Sequence, residues 1–326
     1  MPELSAGAES WPIAEPFVIS RGAKTEAQVV VVRIADGDAV GRGECTPYPR
    51  YGESSGSVLA QIETARGGIE AGLSRADLQT LMPPGAARNA IDCALWDLEA
   101  KRTGVRAWRA AGCARLDPVK TAFTISLGPP EAMARAAGLA ARRPMLKLKI
   151  GGADDVDRVR AVRQAAPRTR LIVDANEALS LDDLVWLLPE LQAMDVKLIE
   201  QPLKAGEDEA LKGLRSPIPL CADESLHTRA ELDACAGLYD CVNIKLDKTG
   251  GLTEALMLAT DARARGLMIM IGSMVATSLA VAPALILAQG ADVVDLDGPL
   301  LLARDRIPGL SIIGSMIEPP TPELWG

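Results

Sequence analysis

The chain has 326 residues, 48% of them hydrophobic, with a net charge of −8 and a pI near 5.0. That length admits one large domain or two of ordinary size, and acidity without a basic tract excludes nucleic acid as the main partner. Cys45, Cys93, Cys113, Cys221, Cys235 and Cys241 form no CxxC pair and read as free thiols of a reducing, cytoplasmic compartment.

The N-terminal "MPELSAGAES" has neither a basic n-region nor an apolar h-region, so no signal peptide is expected. Residues 28–34 and 39–45, joined through "DG" at 36–37, read as an antiparallel hairpin. Residues 86–104 read as a helix with Gly104 near its C-terminus. Residues 1–115 are therefore expected to form an α+β capping domain, with a tail at 312–326 packing back on it. The segments 18–26 and 46–56, rich in Gly, Pro and charge, read as irregular loops that face substrate.

From 116 to 311 the rhythm changes. Short apolar runs begin at 121, 146, 171, 197, 220, 241, 267 and 291, with helix-like segments such as 154–166, 181–194 and 252–266 between them. Eight evenly spaced units predict an α/β architecture, a TIM-type (β/α) barrel, in preference to an open doubly wound sheet. Residues 267–288 are uncharged and long enough to span a bilayer, yet Gly272-Ser273 and Pro283 interrupt them and no aromatic belt flanks them. They are read as a buried strand, a loop and a buried helix, with no membrane association.

Barrel active sites gather at the C-terminal ends of the strands. Polar residues stand there in numbers: Lys147 and Lys149, Asp174 and Asn176, Glu200, Asp223 and Glu224, Lys245 and Asp247, Asp295 and Asp297. Asp174, Glu200 and Asp223, on adjacent strands, are hard oxygen donors suited to one Mg²⁺ per subunit. The alternative is that they cap helices or pair with the lysines. Lys147 and Lys149 precede this trio and Lys245 follows it, so a substrate on the metal has an amine on either side. Neighbouring cations and desolvation are expected to lower lysine pKa values, as a lysine base requires. The chemistry this suggests is proton abstraction beside a metal-polarised carboxylate and reprotonation from the opposite face, a 1,1-proton transfer through an enediolate.

"LKLK", "DAN", "EQP", "ADES" and "VNIKLDKTGG", in this order and spacing, resemble the muconate-lactonizing subgroup of the enolase superfamily. "GECTPYPRYGES" and "AARNAIDCALWDLEAK" extend the resemblance into the leading domain, and "DLDGPLL" resembles the dipeptide epimerases of that subgroup. The resemblance implies a (β/α)7β-type barrel behind a capping domain, and epimerisation of a dipeptide such as L-Ala-D-Glu in murein-peptide recycling. It also implies site roles: Lys149 and Lys245 as acid/base catalysts, Lys147 at the substrate carboxylate, Asp174, Glu200 and Asp223 on Mg²⁺, and Asp295 and Asp297 on the substrate ammonium. Thr124 and Ser273 would touch substrate, and either Arg21 or Lys24 would meet the glutamate side chain. Such proteins often assemble as homo-oligomers. N-acylamino acid racemisation, o-succinylbenzoate synthesis and cycloisomerisation are the neighbouring reactions; their substrates carry no free ammonium, so Asp295 and Asp297 count against them.

Two further motifs are set aside. "GESSG" at 52–56 matches a nucleophile elbow, but it follows a Pro-rich loop and not a strand. The only histidine, His227, reads as a turn residue, and Gly250-Gly251 lack the P-loop order.

Overall fold

A computed structural model describes all 326 residues. The chain opens with three antiparallel strands, β1 (Glu3–Ile19), β2 (Gly22–Asp36) and β3 (Ala39–Cys45), in the order β1-β2-β3. Helices α1 (Ser55–Glu70), α2 (Arg75–Leu81) and α3 (Ala86–Thr103) cover one face. Ser54 and Ser57 form a reciprocal capping box on α1, and Gly104, at φ 71°, ends α3 in the left-handed conformation. Strand β3 lies so close to α3 that a Cβ on Gly41 or Gly43 would fall 2.1 Å from a helix carbonyl, Ala94 O or Ala90 O. Only glycine fits there.

Two features of this region differ from the sequence reading. Residues 3–19, without clean alternation, form one long strand paired with β2 across a bulge between Pro12 and Phe17. Segment 18–26, expected as an irregular loop, is instead the tip of that hairpin, with Ile19 opposite Gly22. Pairing along β1 and β2 overrides its loop-like composition.

After a short pairing strand, β4 (Val119–Lys120), come eight parallel strands: β5 (Phe123–Ile125), β6 (Met145–Lys149), β7 (Arg170–Asp174), β8 (Val196–Glu200), β9 (Leu220–Ala222), β10 (Cys241–Ile244), β11 (Met268–Gly272) and β12 (Val293–Asp295). They pair in sequence order, and Ala122 N donates to Val294 O at 2.8 Å, bringing the two ends of the sheet together. Outward residues such as Leu146 and Leu148 pack under the surrounding helices in a core of 59 buried residues. Segment 267–288 divides into β11, a loop and the short helices Ser278–Val281 and Ala284–Ala288. No helix is long and apolar enough to cross a membrane.

The two parts are bound by buried polar contacts. Arg88 of α3 donates to Thr249 O at 2.7 Å and Gly250 O at 3.1 Å, and Asn89 Nδ2 donates to Asp247 Oδ1 at 2.8 Å. The cap therefore grips the loop that follows Lys245. In the tail β13 (Ile312–Ile313) pairs with β14 (Met316–Ile317), which pairs with β4, and the chain then runs to α3, where Trp325 Nε1 donates to Cys93 O at 3.0 Å.

Candidate active site

The inward positions of the barrel strands are stacked in layers. The floor is apolar: Ala122, Met145, Ile172, Leu198, Cys221, Cys241, Met270 and Val293 pack together. Side chains alternate along a strand, so the residue two places on faces the same interior. Those residues are Thr124, Lys147, Asp174, Glu200, Asp223, Asn243, Gly272 and Asp295. Lys149, Lys245 and Asp297 stand one further step toward the mouth. A Cβ on Gly272 would lie 2.7 Å from Asn243 Oδ1 and 3.1 Å from Lys245 Cε, so this glycine makes room for the lysine.

The carboxylates and ammonium groups interlock. Lys147 Nζ lies 2.6 Å from Glu200 Oε2, 2.7 Å from Asp295 Oδ2 and 3.1 Å from Asp174 Oδ2. Lys149 Nζ is 2.6 Å from Asp174 Oδ2, and on the other side Lys245 Nζ is 2.6 Å from Asp223 Oδ2. Asp174, Glu200 and Asp223 are all buried. Asp297 Oδ2 accepts from Thr124 N at 2.6 Å, and Ser273 N donates to Asp295 O at 3.1 Å. Thr124, Lys147, Lys149, Asp174, Glu200, Asp223, Lys245, Ser273, Asp295 and Asp297 are thus brought together at the barrel mouth. Asp247 is not: it faces the cap, accepting from Thr46 N at 3.0 Å.

The expected lowering of lysine pKa does not hold for Lys147 or Lys245. Burial alone would lower both, but Asp295, Glu200 and Asp174 hold Lys147 well above the ordinary lysine range, and Asp223 and Glu200 raise Lys245. Anionic neighbours outweigh the repulsion between cations. The acidic side shows the converse strain. Burial, then Asp174, push Glu200 up to about 7, and burial, then Asp295, push Asp297 up to about 7.

Whether these residues suit a divalent cation follows from the donors themselves. The trio offers oxygen alone, with no histidine or thiolate, as Mg²⁺ requires. Glu200 Oε2 makes no well-directed hydrogen bond despite its burial, and burial, with Asp174 and Asp223 beside it, raises its pKa, so a cation there would offset an unfavourable buried charge. Lys147 shares this space, so the three carboxylates do not by themselves close around one point. Asp295 gives that ammonium an anionic partner outside the trio. The donor set fits Mg²⁺.

Cap residues close the cavity of about 530 Å³ above the mouth. Arg21 and Lys24 both line it, but their surroundings differ. Arg21 is occupied, by Glu224 Oε1 at 2.7 Å and Glu177 Oε2 at 3.0 Å. The Lys24 ammonium has no carboxylate partner and lies 4.9 Å from the centre of the Tyr48 ring. Burial, then Arg21, lower its pKa.

Residues 131–298 match the enolase C-terminal domain-like family, and residues 2–110 match the N-terminal domain of mandelate racemase and muconate lactonizing enzyme. The chain belongs to the enolase superfamily. Within it, the chain stands among the dipeptide epimerases. It is 48% identical over 304 residues to an L-Ala-D/L-Glu epimerase of Escherichia coli K12, covering 93% of this chain and 95% of that one. It is 43% identical to an N-acetyl-D-glutamate racemase of a Pseudoalteromonas species, covering 91% and 95%. An Agrobacterium tumefaciens enolase family member, solved with sodium and L-Ala-L-Glu, superimposes with a TM-score of 0.99 at 51% identity, over 100% of both chains. A dipeptide epimerase from Enterococcus faecalis, complexed with Mg and L-Leu-L-Tyr, gives 0.91 at 28% identity, over 98% of this chain and 96% of that one.

Two residues beside the site, Lys248 and Gln201, escaped the sequence reading. Lys248, fully buried, holds Asp223 Oδ1 at 2.6 Å, and its place three residues after Lys245 was the available signal. Gln201 Oε1 accepts from Asp223 N at 2.8 Å and Ser225 N at 3.1 Å, fixing the end of β9. His227 packs edge-on against Tyr51, 4.4 Å between ring centres, just behind the cavity wall.

Proposed function

We propose that this enzyme interconverts L-Ala-D-Glu and L-Ala-L-Glu by two-lysine 1,1-proton transfer, with Mg²⁺ as cofactor, in cytoplasmic murein-peptide recycling. The observation that carries this reading is the flanking of one buried carboxylate trio by Lys149 on β6 and Lys245 just beyond β10. Bound Mg²⁺, held by Asp174, Glu200 and Asp223, would supply positive charge against the substrate carboxylate and acidify its α-proton. One lysine takes that proton and the other returns one to the opposite face. Lys147 holds the carboxylate end, and Asp295 and Asp297 hold the ammonium beside Thr124 and Ser273. Lys24, rather than the occupied Arg21, meets the glutamate side chain.

In this reading the capping region, 1–115 with the tail 312–326, sets specificity, while 116–311 carries the chemistry. The test is turnover of L-Ala-D-Glu with Mg²⁺, compared with that of N-acetyl-D-glutamate. Racemisation of N-acetylglutamate is the second reading, favoured by the 43% identity to the Pseudoalteromonas racemase. Asp295 Oδ1, buried and without a hydrogen-bond partner, supports a cationic amine in its place.

A further inference from the structure

Glu177 belongs neither to the metal trio nor to the lysine pair, yet it is the residue on which the cap loops converge. It follows Asn176 just beyond β7, and the two have φ of 68° and 44°. Consecutive non-glycine residues in this region are strained, and such strain persists where surrounding contacts enforce it. Here the backbone is held by Glu177 N donating to Gln201 O at 2.9 Å.

The side chain is 6% exposed, and both oxygens of its carboxylate are hydrogen-bonded. Arg50, in the 46–56 loop, makes a two-pronged pair: Nε to Oε2 at 2.8 Å and Nη2 to Oε1 at 2.7 Å. Arg21, at the hairpin tip, donates Nη1 to Oε2 at 3.0 Å and to Asn176 O at 2.8 Å. Ala205 N donates to Oε1 at 2.9 Å. One barrel carboxylate thus holds two separate cap loops. Forked guanidinium–carboxylate pairs are strong and directional.

The contacts continue toward the cavity. Arg21 Nη2 donates to Tyr48 Oη at 3.0 Å, and the Tyr48 ring carries the Lys24 ammonium at 4.9 Å. Tyr48 is gripped from both sides, through Arg21 and through the loop that bears Arg50. We propose that Glu177 is a positioning residue, the barrel-side latch that holds both cap loops closed and thereby aims Lys24 at an acidic substrate side chain. This rests on the reading of L-Ala-Glu as substrate. Glu177 itself touches no substrate.

The test uses the full-length variants Glu177→Gln, which keeps size, and Arg50→Gln, which shortens the side chain; each removes the Arg50–Glu177 ion pair. Each is expected to raise KM for L-Ala-D-Glu at least about tenfold, to leave kcat within about twofold, and to reduce the preference for L-Ala-D-Glu over L-Ala-D-Gln. Trypsin, without substrate, is expected to cut the hairpin at Arg21 and Lys24 about tenfold faster than in the wild type. Unchanged KM and unchanged cleavage would overturn the latch, as would loss of kcat at constant KM. The proteolysis comparison does not need turnover, so it decides the latch even if L-Ala-D-Glu is not the substrate. Arg50 is partly exposed, so its variant keeps the test open if Glu177→Gln does not fold.

Discussion

Lys147 Nζ lies 2.7 Å from Asp295 Oδ2 and joins the second strand of the barrel to the eighth. One oxygen of Asp295 is therefore occupied before any substrate arrives, and the other is buried without a partner. That leaves Asp295 Oδ1 and Asp297 to receive an ammonium.

Replacing Asp297 with Asn tests this assignment. KM for L-Ala-D-Glu is expected to rise about 10- to 100-fold, since a charged hydrogen bond worth about 1.5–3 kcal/mol is lost. In the wild type, burial and Asp295 hold the Asp297 carboxyl up to about 7. The charged form binds the ammonium, so affinity is present above that pH and falls as pH drops through it. A pH profile of KM should show this titration in the wild type and lose it in the variant. An equal KM for the two proteins at pH 8 would remove Asp297 from substrate binding.

The two lysines should fail in different ways. Lys149→Ala and Lys245→Ala are each expected to reduce epimerisation by at least about 100-fold, in the range of general acid–base catalysis. Each should still exchange the α-proton of one glutamate epimer in D₂O, and the two variants should retain opposite epimers. Retention of the same epimer by both would contradict placement on opposite faces.

Lys24→Met separates the two cap cations. Its loss should raise KM for L-Ala-D-Glu and leave L-Ala-D-Leu unaffected, because the ammonium meets only a charged side chain. If the discrimination survives in Lys24→Met, the contact lies elsewhere, and Arg21 is the remaining candidate.

The join between cap and barrel makes a stability prediction. Glu44 on β3 accepts from Thr277 N at 2.9 Å and from Arg306 Nη2 at 2.6 Å, with its side chain fully buried. Glu44→Ala would leave Arg306 only the partly exposed Glu9, at 2.7 Å, and Thr277 N without its acceptor, at a cost of about 1–3 kcal/mol. Urea denaturation measures this, and a midpoint equal to wild type would refute it.

Much of this site was legible because strand alternation has period two. Once Met145, Ile172 and Cys221 are read as floor residues, Lys147, Asp174 and Asp223 must face the same interior two places later. The spacing of the eight apolar runs marked the barrel in the same way. Alternation fails beyond a strand end: Asp247, two residues after Lys245, lies in a helical turn, Leu246–Thr249, and faces the cap. The long hairpin of β1 and β2 was hidden because its residues include Glu, Gly and Pro, and pairing between distant segments decides its form. Glu177 carried no signal, since its role depends on Arg21 and Arg50, more than 120 residues away in sequence. The pKa values of Lys147 and Lys245 were misjudged for a related reason. Sequence adjacency shows lysines beside lysines, whereas the carboxylates that raise Lys147 and Lys245 come from other strands.

The most direct measurement is proton NMR of L-Ala-D-Glu incubated with the enzyme and Mg²⁺ in D₂O. The account predicts retention of the alanine α-proton, loss of the glutamate α-proton signal and appearance of L-Ala-L-Glu, the last two abolished in Lys149→Ala/Lys245→Ala. A glutamate α-proton that stays unexchanged under these conditions would contradict it.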